Sequence, residues 1–569
     1  MYRRLVVLAP VVSALLWTAA CSSSNSSPLE VVRTTSAALT TTSVLTQGGG
    51  NQRTNSFADP SPTPSLTTRS VGTGGFGFKW RRQVRGSICA QPLVVSNVTL
   101  AGTLCLSPPC GKNIVIVATM QNRVYAFDAD DLSADAPPLW TINLARQGGS
   151  GKPPSAPPAT LPDPNIGTGP SYTNIRVSIG IEGTPVVGPD SSGNLYLYAV
   201  VHSHTGYDYM TRAGGVHTYV LYKIDVTSGF VAGFQTIEAN VSNSSGGQVA
   251  FDARFENQRA GLLLETGTSG PDDAGAPQSG TVYFAFSSYN DSGNWYGWVL
   301  AYDSTTLAQQ AAFNVAPNGG RGGIWQSGAG LATINNSVTP EVFLTTGNSN
   351  SRGGPPNDLG VSVVHLNMVA DNTALEAVDS FTPRDANFLN GDADLDFSAG
   401  GTMILSANSS STVPDLVVAG GKTGILYLLN ANKLGGENTS DTGALAIAPQ
   451  DPCVCSGFNC DSTMCEEIHS IVGWDLPGAP VVYVWPETKD LQRITVGLPA
   501  PGKTAPYSLS SESPNNVQYP TYANLDPMMS LSTYTDPSTG TPKGVLWASI
   551  PIGGDGDTTA HGELTPMRQ

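Results

Sequence analysis

Acidic and imidazole side chains recur at alternate positions in two segments of the chain. Asp392, Asp394 and Asp396 alternate with apolar residues, so on a strand all three carboxylates would lie on one face. Such a face suits a hard cation such as Ca²⁺, whereas a solvated, hydrogen-bonded turn is the simpler interpretation. His202 and His204 have the same spacing and would suit a pair of metal ligands, although the polar, glycine-containing stretch that follows favours a solvated pair.

The cysteines beyond residue 21 fall into two local clusters. The candidates for disulfide bonds are Cys105, Cys110, Cys453, Cys455, Cys460 and Cys465. The first two would close a short loop, and the last four would either staple a loop or hold a zinc ion. Stapling is the interpretation that suits an exported protein. Cys89 is then left over and is predicted to be a free, buried thiol.

The familiar signatures of catalysis are missing or incomplete. The sequence contains neither the G-x-S-x-G motif of a serine hydrolase nor the C-x-x-C-H motif of heme attachment. Residues 497–504 match the phosphate-binding pattern G-x-x-x-x-G-K-T, but Pro499 and Pro501 remove backbone N–H groups that the phosphates would need. We therefore assign no catalytic residue from the sequence.

Short strands in repeating units dominate the chain from about residue 76 onward. A unit contains two strands joined by a turn, as in NIVIVATMQNRVYAFD at residues 113–128 and DLVVAGGKTGILYLLN at residues 415–430. A patch of small residues opens each unit, near residues 91, 184, 260, 328, 399, 470 and 530. Seven such units of about four strands predict an all-β fold, a β-propeller of seven blades, with eight as the alternative. We expect residues 76–84 to supply the outer strand of the last blade.

Residues just before the innermost strand of a blade face the central channel of a propeller, so they are the candidates for a binding site. They are Glu182, Arg259, Trp325, Gln326 and His469. Glu182 and Arg259 would form an ion pair that is either part of a ligand site or purely structural. Trp325 would either meet a ligand or pack between two blades.

The repeats resemble those of the bacterial proteins known as PQQ-binding-like β-propeller repeat proteins, in the quinoprotein alcohol dehydrogenase-like superfamily. The resemblance rests on VATMQNRVYAFDADD, PNGGRGGIWQSGAGLA, VAGGKTGILYLLN and VLWASIP, within roughly residues 90–550. It implies the propeller fold. It also implies an alternative function, a dehydrogenase whose planar quinone stacks on a Trp beside a calcium ion. Because the sequence has neither an adjacent Cys-Cys pair nor a heme-attachment motif, we expect no cofactor, with Ca²⁺ at the aspartates or pyrroloquinoline quinone (PQQ) as the alternatives.

The N-terminal residues predict where the protein is located in the cell. Residues 1–21 combine Arg3 and Arg4, an apolar stretch and a final Cys21, and so resemble a lipoprotein signal peptide with its lipidated cysteine. Thr18 departs from that pattern. Residues 22–75 are rich in Ser, Thr and Gly and are predicted to form a disordered tether. Residues 76–569 would form one propeller domain with loop inserts near 147–170, 270–280 and 448–467.

Composition limits the partners. Charged residues make up only 13% of the chain and its net charge is −16, which disfavours binding to nucleic acid. We therefore expect a monomeric module, lipid-anchored to the outer membrane and either periplasmic or surface-exposed, that binds an envelope protein, a peptide or a glycan. The alternative function is a PQQ- or metal-dependent oxidoreductase of the periplasm.

Overall fold

Seven β-sheets of four or five strands, arranged as the blades of a propeller, form the fold. The computed structural model describes residues 2–9, 43–64, 67–72, 77–102, 111–144, 179–205, 216–266, 280–289, 291, 293–326, 328–334, 341–350, 358–369, 372–390, 395–406, 413–437, 440–448, 467–476, 478–486, 490–513, 527–552 and 561–568. No helix within these ranges is both long enough and apolar enough to cross a membrane.

Within the described ranges, three strands precede the first blade in the chain, and three short helices are present. The strands are β1 (Tyr2–Ala9), β2 (Ser56–Asp59) and β3 (Gly77–Arg85). The helices are a 3₁₀ turn (Gln47–Gly49), α1 (Thr68–Gly72) and α2 (Ala386–Leu389).

The first three blades follow in chain order. Blade 1 consists of β4 (Leu93–Thr99), β5 (Gly111–Thr119), β6 (Arg123–Asp128) and β7 (Trp140–Asn143). Blade 2 consists of β8 (Val186–Pro189), β9 (Leu195–Thr205), β10 (Val216–Asp225) and β11 (Val231–Thr236). A separate hairpin consists of β12 (Asn240–Ser242) and β13 (Gln248–Ala250). Blade 3 consists of β14 (Glu256–Asn257), β15 (Leu263–Glu265), β16 (Thr281–Ser288), β17 (Trp298–Asp303) and β18 (Gln309–Asn314).

Four further blades complete the ring. Blade 4 contains β19 (Glu341–Thr345), β20 (Val363–Met368) and β21 (Leu375–Thr382). Blade 5 consists of β22 (Thr402–Ser406), β23 (Asp415–Gly420), β24 (Leu426–Asn430) and β26 (Ala446–Ala448), while β25 (Gly436–Glu437) joins β21 of blade 4. Blade 6 consists of β27 (Ile471–Trp474), β28 (Val481–Val484), β29 (Gln492–Gly497) and β30 (Ser508–Glu512). Blade 7 contains β31 (Met528–Thr535), β32 (Pro542–Ile552) and β33 (His561–Arg568), with β2 parallel to β31.

The predicted propeller of seven blades is confirmed. Six of the predicted small-residue patches precede the innermost segment of a blade, and the seventh, near residue 530, lies at the start of β31. In blade 4 that segment is reduced to a single bridge between Ala332 and Phe343. The core lies between neighbouring blades, where Ile116 of blade 1 and Val220 of blade 2 share one apolar cluster. Both faces of a blade are therefore apolar, and neither face is buried until the next blade packs on it.

Residues 43–59, called the channel segment below, run through the centre of the ring. Val44 pairs with Val94 of blade 1, and the Arg53 guanidinium donates to the carbonyl oxygen of Leu262 in blade 3. Backbone N–H groups of the other innermost segments donate to its carbonyl oxygens: Val187 to Leu45, Thr333 to Asn51, Ile404 to Gln52, Gly473 to Thr54 and Leu531 to Asn55. The segment thus contacts all seven blades.

The channel segment provides hydrogen-bond partners for the inner edges of the blades. The innermost strand of each blade has an edge whose N–H groups need acceptors, and the segment supplies carbonyl oxygens. Positive φ angles at Gly48 (70°), Arg53 (60°) and Asn55 (53°) let the backbone turn while it follows the ring. The folded region therefore begins before residue 76, where the sequence analysis placed its start. The part of the expected tether at residues 22–42 lies outside the described residues.

Strand β3 does not join blade 7, so the prediction of an outer strand at residues 76–84 was wrong. It pairs with β1, while its buried side chains Trp80 and Val84 pack on the free face of blade 1. The Trp80 indole N–H donates to the Ala129 carbonyl oxygen at 3.0 Å, and the Arg82 guanidinium lies 4.3 Å from the Trp80 ring centre. These contacts place β3 on blade 1 because that blade would otherwise expose an apolar face. The pairing with β1 leaves the signal-peptide prediction for residues 1–21 untested.

Candidate functional site

One end of the channel, called the upper opening below, is formed by the residues that directly precede the innermost strands. Four of the predicted candidates carry partly accessible side chains there: Glu182, Arg259, Trp325 and His469. They come from blades 2, 3, 4 and 6, and the described aspartate Asp396 joins them from blade 5. The turns between the second and third strands reach the same end, since consecutive strands of a blade are antiparallel.

The predicted ion pair between Glu182 and Arg259 is present. Arg259 Nε lies 3.5 Å from Glu182 Oε1, and the arginine side chain is 29% exposed while the glutamate side chain is 10% exposed. Burial raises the pKa of Glu182, and the nearby Arg259 charge and a hydrogen bond from Asn257 oppose that rise. The guanidinium is therefore the accessible partner, and the carboxylate holds it in place from below.

Arg259 also covers an indole ring. Its guanidinium carbon lies 5.4 Å from the ring centre of Trp325, within the range of a cation–π contact. The buried Trp295 meets Trp325 edge-on with ring centres 5.8 Å apart. A Cβ atom at Gly347 would lie 2.7 Å from both Trp325 Nε1 and Asp396 Oδ1, so only glycine permits this close approach. Trp325 thus has one face toward Arg259 and one edge against the protein.

Asp396 faces a cation of the protein. Lys422 Nζ lies 3.5 Å from Asp396 Oδ2, with both side chains mostly buried. Asp392 and Asp394 lie outside the described residues, so the calcium site predicted from the three aspartates stays a prediction. The described part of the chain contains no cluster of three or more His, Cys, Asp or Glu side chains able to hold a metal ion.

Gln326 and His469 differ in their surroundings. Gln326 is fully buried, where its Nε2 donates to the Gly330 carbonyl oxygen at 3.1 Å and its Oε1 accepts from the Thr345 N–H at 3.2 Å. The structure therefore does not bring it together with the accessible groups. His469 Nε2 lies 3.2 Å from Glu467 Oε2, with both side chains partly exposed. These two residues form a smaller polar pair on the blade 6 side of the opening.

At the opposite end of the channel, the lower opening, the described titratable groups include the carboxyl groups of Glu265, Glu341 and Asp415. Glu265 ends the innermost strand of blade 3, and burial raises its pKa to about 8, helped by the negative charge of Glu341. Asp415 opens the second strand of blade 5, and its pKa is raised by burial and by Glu341. Glu341 itself lies 3.3 Å from His365 Nε2.

Sequence reasoning missed several residues of the upper opening. Lys422 and Trp295 stand in turns between the second and third strands, and their spacing from the repeat starts varies between blades. The signal available was the topology itself, because such turns lie at the same end as the strand starts.

The cysteine prediction also needs correction at one position. Cys89 is disulfide-bonded, so the free thiol predicted there was wrong, and the six predicted disulfide cysteines lie outside the described residues.

No protein-family model matches the sequence, and no curated protein matches it. Among solved structures, the chain is similar to quinohemoprotein alcohol dehydrogenase ADHIIG from Pseudomonas putida HK5, with 11% identity, 90% of this chain and 76% of that chain covered, and a TM-score of 0.43. It is also similar to the quinohemoprotein alcohol dehydrogenase from Comamonas testosteroni, with 12% identity, 92% of this chain and 73% of that chain covered, and a TM-score of 0.43. A third similar structure is the WD40 domain of SCAP from fission yeast, with 8% identity, 84% of this chain and 88% of that chain covered, and a TM-score of 0.31. These likenesses concern the fold, so function must be argued from the residues of this chain.

The described residues of the upper opening do not fit a quinone paired with calcium. A calcium ion needs several oxygen ligands that are not already neutralised by a protein cation. Glu182 faces Arg259 and Asp396 faces Lys422, so both carboxylates beside Trp325 already have cationic partners. We therefore derive no catalytic step through such a cofactor.

Proposed function

We propose that this propeller is a ligand-binding module of the bacterial cell envelope, held at the outer membrane by a lipid on Cys21. Its ligand is an envelope protein, a peptide or a glycan that contacts the upper opening. The observation that carries the proposal is the position of Arg259, which pairs with Glu182 while covering Trp325.

Arg259 and Trp325 combine the two properties that recognition sites need. The indole offers an apolar face, and the guanidinium offers N–H donors whose direction is fixed by Glu182. Trp and Arg are also the residues enriched at the energetic centres of protein interfaces. A ligand carboxylate or hydroxyl can accept hydrogen bonds from Arg259 without any rearrangement of the blades.

The filled channel directs the ligand to the openings. The channel segment occupies the axis, and its Arg53 is 1% exposed, so the centre of the ring is packed. A ligand must therefore bind on a face of the disc. The upper opening has the accessible Arg259 cation beside Trp325, whereas the described groups of the lower opening include the carboxyl groups of Glu265, Glu341 and Asp415.

A binding experiment with matched variants tests this proposal. The full-length protein, extracted in mild detergent, is applied to a glycan array and to an extract of cell-envelope proteins. Trp325→Leu and Arg259→Gln are expected to weaken capture at least about tenfold, the cost of losing a central anchor. Trp474→Leu is the control, because Trp474 is also partly buried but ends the innermost strand of blade 6 at the lower opening.

Two results would contradict the binding proposal. One is equal capture by the wild type and by both upper-opening variants. The other is stoichiometric, calcium-dependent binding of pyrroloquinoline quinone in a calorimetric titration, since this would support the oxidoreductase alternative instead.

The lipid anchor has its own test. Cys21→Ser should abolish incorporation of a labelled fatty acid and move the protein from the membrane fraction to the periplasmic or medium fraction. Ser22→Ala serves as the control. Retention of the label in Cys21→Ser would contradict the anchor without bearing on the upper opening.

A further inference from the structure

Two imidazole rings meet at the end of the β9–β10 hairpin in blade 2. His202 Nε2 lies 3.4 Å from His217 Nδ1, and the rings are nearly parallel, with centres 5.5 Å apart. In the strand register His217 stands opposite His204, and Tyr219 stands opposite His202. These four positions therefore share one face of the hairpin.

The nitrogen separation matches that of two ligands on one metal ion. Zinc–imidazole bonds of about 2.0–2.1 Å at a tetrahedral angle place two ligand nitrogens about 3.3 Å apart. A neutral imidazole pair can hold the same separation only as a long N–H···N hydrogen bond. Divalent metal binding would replace the shared proton, which leaves with the solvent.

The surroundings of His202 are those of a metal ligand. His202 is fully buried, and its Nδ1 lies 3.4 Å from the Ile179 carbonyl oxygen. Donation from Nδ1 to that carbonyl fixes the tautomer in which Nε2 presents its lone pair to His217, the second contact that metal-bound histidines typically make. Asn122 donates to the His202 carbonyl oxygen at 2.7 Å and fixes the strand. Gly180 makes room for this packing, because a Cβ there would lie 2.3 Å from Asn122 Oδ1.

An apolar and aromatic shell surrounds the pair on the protein side. Met120, Ile179 and Tyr289 form one buried cluster, and the Tyr219 ring centre lies 4.7 Å from that of His202. The Tyr219 hydroxyl donates to the Glu256 carbonyl oxygen at 3.0 Å and meets the Tyr289 hydroxyl at 2.5 Å, so both hydroxyls are engaged with each other. His217 is only half-buried, whereas His202 is fully buried.

We propose that His202 and His217 bind a divalent transition metal ion of the zinc type. Imidazole nitrogens suit Zn²⁺, Co²⁺, Ni²⁺ and Cu²⁺, whereas Ca²⁺ and Mg²⁺ prefer oxygen. The two histidines belong to blade 2 and Asp396 to blade 5, so the site is separate from the upper-opening aspartate, and it does not depend on the proposed binding function.

The test uses full-length protein that carries no histidine tag and has been stripped of metal with a chelator. Zn²⁺ is titrated by calorimetry, and Co²⁺ is titrated by absorption spectroscopy. We expect one ion per chain and visible cobalt bands without thiolate-to-metal charge transfer. His217→Gln is expected to weaken Zn²⁺ binding at least about tenfold. His365→Gln is the control, since His365 stacks on Phe343 in blade 4, far from this hairpin in the ring.

Because His202 is buried, its replacement risks misfolding, so the half-buried His217 carries the decision. Wild-type binding that His217→Gln abolishes, with His365→Gln unchanged and the circular dichroism spectrum preserved, supports the site. A flat zinc titration of folded protein would overturn it. Binding that is insensitive to His217→Gln, or cobalt spectra dominated by thiolate bands, would also overturn it, the latter by assigning the ion to cysteines.

Discussion

The two ends of the propeller channel use charge in opposite ways. At the upper opening, Arg259 and Lys422 each pair with a carboxylate at 3.5 Å. At the lower opening, Glu265 and Asp415 lie near Glu341, and their pKa values are raised by burial and by that negative charge. The described carboxylates of the upper end are therefore paired with cations of the protein, whereas at the lower end burial and a neighbouring negative charge favour the protonated carboxyl groups, so that their charge depends on pH.

Between the two ends, a third arrangement shows what a purely structural charge looks like. The Arg53 guanidinium donates to three backbone carbonyl oxygens, of Leu331, Gln47 and Leu262, and to the Thr46 hydroxyl. Burial lowers its pKa to about 9. Neutral acceptors hold a cation that never has to leave, while carboxylates hold the accessible cations of the upper opening. This contrast separates the stabilising role of Arg53 from the recognition role that is proposed for Arg259.

The largest effect should follow from removing the central cation. Arg53→Met leaves several buried carbonyl oxygens without donors, and we expect a loss of at least about 3 kcal/mol in the free energy of unfolding. Chemical denaturation followed by circular dichroism measures it. Arg254→Met, at an exposed position of blade 3, should change stability by less than about 0.5 kcal/mol. Equal effects of the two substitutions would show that the channel segment does not hold the blades.

A smaller effect should appear at the lower opening, and it should depend on pH. The pKa of Glu265 is about 8 in the folded protein against an ordinary value of 4.5, so between these pH values the folded state binds more protons than the unfolded state. Stability therefore falls as pH rises from about 4.5 to about 8. Glu265→Gln should remove that slope and stabilise the protein at pH 8 by on the order of 2 kcal/mol, with little change near pH 4.5.

Thermal unfolding across this pH range measures the Glu265 effect. The matched control is Glu376→Gln, at an exposed position on β21. A pH slope that Glu265→Gln leaves intact would assign the effect to other groups and weaken the contrast between the two openings.

The smallest effect on stability should come from the upper opening. Arg259→Gln removes one partner of a partly exposed ion pair, and we expect a cost of about 1 kcal/mol at pH 7. The loss of the positive charge should also raise the pKa of Glu182 further. A double-mutant cycle with Glu182→Gln isolates the coupling between the two side chains. A cost above about 3 kcal/mol would make this pair a structural element rather than a recognition site.

The sequence predicted the blades well because each blade repeats a strong local pattern. Apolar strands, turn residues and a small-residue start recur in every unit, and the seven starts coincide with the innermost segments. The same pattern placed Glu182, Arg259 and Trp325 at one end of the channel. Their contacts with each other could be anticipated only for the ion pair, since the distance between blades is not encoded in any local repeat.

The channel segment escaped prediction for a physical reason. Most of its residues are polar or small, as in a disordered tether, although Val44 and Phe57 belong to one apolar cluster and Leu45 packs against another. What fixes it is a set of backbone hydrogen bonds to the inner edges of the blades, and composition does not register such bonds. The histidine pair shows the converse case. The alternate spacing of His202 and His204 indicated that they share one face of a strand. That His217 lies beside His202 follows only from the strand register, which the sequence alone does not give.

The channel segment also decides how a tethered propeller would bear load. With a lipid on Cys21, residues 22–42 alone would link the membrane to the ring. The length of such a linker, if fully extended, would be about 70 Å. A force applied through this linker would act on the channel segment, whose hydrogen bonds would distribute it among the inner edges of the blades. Mechanical resistance would then be a property of the whole ring rather than of one terminal strand.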